Sequence, residues 1–103
     1  MDDTQKNELL FHSLLMMFET AAMQHMGKLK NPMTDTVEKD LLQAQYAIDM
    51  LDMLKEKTKG NCAPAELRAL DTLVANLKLT YVDELARARQ ETPAAGSEPT
   101  PTS

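Results

Sequence analysis

The stretch IDMLDMLKEKTKGN, residues 48–61, reads as the back half of a helix together with its stop signal. Lys55, Lys57 and Lys59 place positive charge at the negative end of the helix dipole, and Gly60-Asn61 breaks the run. Upstream, Asp35 and Glu38 have the spacing of a capping box, which sets the expected helix at about residues 36–58. Its apolar residues fall into two stripes. Val37, Leu41, Ala44, Ala47, Ile48, Leu51 and Leu54 form one; Leu42, Tyr46, Met50 and Met53 form the other. Glu38, Gln45, Asp49, Asp52 and Glu56 separate them, so this helix has two faces to bury.

The flanking segments supply one helix on each side. A helix is expected from about Asn7 to Met26, with Gly27 as its left-handed terminator and an acidic lead of six residues before it. Leu10, Phe11, Leu14, Leu15, Met17, Phe18, Ala21 and Ala22 share its main arc, and Leu9, Met16 and Met23 add apolar surface on the opposite side. Asn31-Pro32 marks the loop that follows. The third helix is expected over residues 64–89, with Pro64 at its first position and Glu66 in its first turn. Leu67, Leu70, Leu73, Val74, Leu77, Tyr81, Leu85 and Ala88 form its main stripe, while Ala75, Leu79, Val82 and Ala86 form a second edge. Ala63 stands where a helix cap is wanted, so a cap hydrogen bond worth about 1 kcal/mol is expected to be missing. Residues 91–103, ETPAAGSEPTPTS, have the composition of a disordered tail.

From Phe11 to about Val82 the chain resembles the bacterial domain of unknown function 1844 family. The resemblance rests on Phe11, Leu14, Gly27, Asn31-Pro32, Asp40, Leu41, Ala44, Ile48-Asp49 and Leu51, the run from Met53 to Asn61, and Leu77 with Tyr81-Val82. At positions 62 and 63, where the family pattern has Leu and then a Thr or Ser cap, this chain has Cys and Ala. The family name records no activity, so the resemblance implies kinship without naming a chemistry.

Composition narrows the function classes. At 103 residues the chain has room for one small domain, whose stability as a monomer is expected to be marginal. Sixteen acids against eleven bases give a net charge of −5, which disfavours generic binding to nucleic acid or anionic lipid. The single cysteine, Cys62, cannot form an internal disulfide, and MDDTQKNE is acidic where a signal peptide is basic. Polar residues interrupt the apolar region from Leu9 to Met26. A cytoplasmic, non-membrane protein is therefore expected.

The expected fold is all-α: a three-helix up-down-up bundle, or a helical hairpin with a shared first helix, completed by homo-oligomerisation with a dimer favoured. In such a bundle Leu42, Tyr46, Met50, Met53, Leu79 and Val82 stay exposed beside Leu9, Met16 and Met23. Burying the first six contributes on the order of 10–18 kcal/mol as an upper bound, comparable to the 5–15 kcal/mol that stabilises a whole domain. These nine residues are the candidate interaction surface, for a second copy or another protein.

Competing chemistries fare worse on the residues. The eight methionines with His12 and His25 could ligate a soft metal, but methionine at helical spacing fills cores and adaptable interfaces. The acids of the second helix form one row, not a converging cage. No phosphate loop, metal box or triad is present in the sequence, so neither cofactor nor catalysis is expected. Lys55, Lys57 and Lys59, with Gly60 and Asn61, form a candidate basic end that an RNA-associated accessory factor would use; aromatic stacking residues do not accompany it.

Overall fold

A computed structural model of the protein describes residues 2–91. Three helices follow one another: α1 (Asp3–His25), α2 (Leu41–Lys57) and α3 (Pro64–Glu91). No helix among the described residues is long and apolar enough to cross a membrane. Of the expected tail, residues 91–103, Glu91 instead closes α3, and residues 92–103 lie outside the described residues.

The periodicity translates into one core. Leu15, Ala22 and Met26 come from the α1 side, Ala44, Ala47, Ile48 and Leu51 from α2, and Leu70, Val74 and Leu77 from α3. Phe11, Phe18, Met23, Leu41, Leu54, Leu73 and Tyr81 pack around them. α1 thus packs on α2 and α3 of its own chain. Ala22, Ala44 and Ala47 are small members of this core, and Met26, Leu51 and Leu70 are its largest fully buried side chains.

Several boundaries differ from the sequence expectation. α1 begins four residues earlier, within the expected acidic lead, because Asp2 and Gln5 form a reciprocal capping box: Gln5 N donates to Asp2 Oδ1 at 2.8 Å and Asp2 N to Gln5 Oε1 at 3.2 Å. α2 begins later than Asp35. Its cap is Asp40, whose Oδ1 accepts from Gln43 N at 3.2 Å, and Asp35 instead takes a positive φ of 54° within the loop. Glu38 accepts from Thr34 and Thr36 in that loop. Val37 consequently leaves the α2 stripe and is exposed. Leu10, Met17 and Leu67, expected inward, are exposed too; they sit at the margins of arcs wider than two neighbouring helices can cover. At α3 half of a capping box survives without a capping side chain: Ala63 N donates to Glu66 Oε1 at 2.8 Å.

Candidate interaction face

Three polar rungs fix how α2 and α3 lie against each other. Tyr81 Oη hydrogen-bonds Gln45 Oε1 at 3.2 Å, Lys78 Nζ pairs with Asp52 at 2.8 Å, and Lys55 Nζ pairs with Asp71 at 2.9 Å. The order reverses along the two helices, as an antiparallel hairpin requires. These rungs run along the seam between the two helices. At 100° per residue, Leu42, Tyr46, Asp49 and Met53 lie beyond the rungs on α2, and Ala75, Leu79, Val82 and Ala86 beyond them on α3. Both rows therefore belong to one face, the side of the hairpin opposite α1.

That face is open. Leu42 is 76% exposed, Leu79 71%, Val82 63%, Tyr46 62% and Met53 50%. A shallow depression on α2 is lined by Leu42, Gln43, Gln45, Tyr46 and Asp49. Two members of the expected surface do not belong to it. Met50 is half-buried, because its place on the helix turns it toward the flank. Met23 packs against the core instead of standing on the outer side of α1. Leu9 and Met16 are exposed, but they sit on α1 and so lie on the other side of the molecule. Met16 borders a groove between α1 and α3 whose walls include His12, Leu15, Glu19, Arg68 and Leu73.

The basic end does not gather its lysines. Lys55 is bound to Asp71, whose carboxylate holds the ammonium above its usual pKa. Lys57 and Lys59 are exposed, and the chain turns at Gly60 with φ +86°. Asn61 N donates to Thr58 O at 2.9 Å, closing this turn. Met26, one of the thioethers near His25, is fully buried. Among the described residues no three His, Cys, Asp or Glu side chains come together in a metal-binding group.

One feature of the opposite end was not anticipated from the sequence. Glu84 of α3 is 3% exposed, with Lys28 Nζ at 2.6 Å, Lys39 Nζ at 3.0 Å and Arg87 Nε at 3.7 Å. The two lysines come from the two legs of the loop between α1 and α2. Hydrogen bonds between the legs (Asp40 N to His25 O at 2.7 Å, Asn31 N to Thr36 O at 2.8 Å) hold it as a compact unit. The Lys28 ammonium, and after it that of Lys39, keeps the Glu84 carboxyl below the ordinary glutamate range against the opposing effect of burial. A signal was present in the sequence: Glu84 lies on the apolar arc of α3, three residues after Tyr81 and four before Ala88.

No curated protein and no solved structure matches this chain. A family model does match, over residues 8–84, a span that includes the whole core, the loop pinned by Glu84 and, save Ala86, both rows of the open face. The chain is a member of the family described as domain of unknown function (DUF1844).

Proposed function

We propose that this protein is a small helical interaction module that acts by self-association, with a second copy covering the open face of the α2–α3 hairpin. The observation that carries the reading is the face itself: five large apolar side chains, half to three-quarters exposed, on one side of two adjacent helices. Their exposed fractions correspond to about 5–10 kcal/mol of unrealised burial per copy, at about 1.5–3 kcal/mol for each full side chain. Two such faces together exceed the roughly 4–15 kcal/mol lost in association over most of its range. Scattered single apolar residues need no explanation, but a contiguous patch of this kind marks an interaction site.

The polar seam supports the same reading. Gln45–Tyr81 and Asp52–Lys78 satisfy each other within the chain, so a covering partner need not strand them. The test is light scattering of the unmodified chain beside a variant carrying Leu42→Asp and Leu79→Asp. The unmodified chain is expected to be dimeric, and the variant monomeric with its helical circular dichroism unchanged. A monomeric unmodified chain, or a variant that keeps the parent's mass, rejects the proposal.

A further inference from the structure

The open face is asymmetric in size, and the carboxylate that stands on it, Asp49, belongs to α2. The rungs put Leu42 level with Ala86, Tyr46 level with Val82, Asp49 level with Leu79 and Met53 level with Ala75. At each level one row carries the larger side chain: α2 at three levels, α3 at the level of Leu79. Beyond the seam α2 presents Asp49 and Glu56, whereas on α3 Arg68 lines the α1–α3 groove and Arg89 stands in line with the Asp71 rung. Neither Asp49 nor Glu56 forms an ion pair with another described residue.

We propose that a second copy seats α2 on α3 of its mate and α3 on α2, about a two-fold axis running along the hairpin. The two hairpins then make a four-helix layer, with one α1 on each outer side. The inference rests on the self-association proposed above and specifies its geometry. With the axis along the hairpin, residues level within a chain are also level between chains. At each level the larger side chain thus meets the smaller: Tyr46 meets Val82 of the second copy, Met53 meets Ala75, and Leu79 meets the short Asp49. Helix axes can then approach to about 8–10 Å, the spacing of packed interiors.

The competing two-fold pairs each helix with its own copy. It puts Leu79 against Leu79 at the centre of α3 and brings the two Asp49 carboxylates close together. Like charges face each other there, and large meets large. Size and charge both select the crossed pairing.

Cysteine pairing distinguishes the two. In a Cys62→Ser background, chains carrying Tyr46→Cys are co-expressed with chains carrying Val82→Cys, oxidised mildly and resolved without reductant. The covalent dimer is expected to be at least tenfold more abundant than from either variant alone. Leu79→Cys alone is expected to give little. A chain that scatters as a dimer but crosslinks through Leu79→Cys, or fails to crosslink between positions 46 and 82, overturns the crossed pairing and leaves self-association standing. A chain that is monomeric overturns both.

Discussion

Glu84 is the residue on which the α1–α2 loop depends. A buried carboxylate alone would be strongly unfavourable; here two lysines from opposite loop legs neutralise it and are themselves tied to α3. Glu84→Gln keeps the shape and removes the negative charge that faces Lys28 and Lys39. Since both lysine side chains are one-third exposed and can turn to water, the loss should be about 1–3 kcal/mol, measured by chemical denaturation. The pH dependence follows from the same contact. Because the folded-state pKa is depressed, Glu84 stabilises the fold above the ordinary glutamate value of about 4.3, and this contribution disappears as pH falls through the lower folded value. Thermal unfolding from pH 6 downward should therefore decline less steeply in Glu84→Gln; identical slopes would contradict this role. The arc position of Glu84 was visible in the sequence, but its partners were not. Lys28 and Lys39 are far from it along the chain, and no local spacing predicts that a loop folds back onto the third helix.

At the scale of the element, each helix end depends on one or two residues. Gly27 and Gly60 have φ of +80° and +86°, in the left-handed region where a side chain is strained. A Cβ at Gly60 would meet open space, so Gly60→Ala should lose only the conformational term, about 1–2 kcal/mol. A Cβ at Gly27 would also sit 3.2 Å from Lys39 Cε, so Gly27→Ala should lose more and should disturb the Glu84 contact. Equal midpoints for the two variants in urea would count against that difference. At the start of α2, Asp40→Ala should lose about 1 kcal/mol because Gln43 N loses its acceptor. Helix number, order and stop signals were legible because core stripes and terminating glycines are local. The start of α2 was not. Asp35–Glu38 and Asp40–Gln43 present comparable cap spacing, and the choice was made by the loop, where Asn31 O accepts from Asp35 N at 2.7 Å and Glu38 turns to the threonines.

For the whole molecule, one core and one uncovered face coexist. Leu42, Tyr46, Met53, Leu79 and Val82 could be assigned outward from periodicity, since each lies opposite its own helix's core stripe. That the two rows share a single face required the antiparallel register, which only long-range rungs such as Gln45–Tyr81 supply. Leu9 and Met16 show the limit of the same reasoning: they are exposed, yet on the far side of the molecule. If a second copy covers the hairpin, dissociation is linked to unfolding, and the melting temperature should rise with protein concentration. The Leu42→Asp, Leu79→Asp variant should lose that dependence; a concentration-independent melt of the unmodified chain would argue for a stable lone subunit. The most direct measurement is sedimentation equilibrium of the unmodified chain over a dilution series reaching on the order of tens of micromolar, where association worth about 8 kcal/mol is near complete. The predicted result is a mass approaching twice the 11.5 kDa of one chain at the concentrated end. A mass that stays at one chain throughout the series would contradict the account.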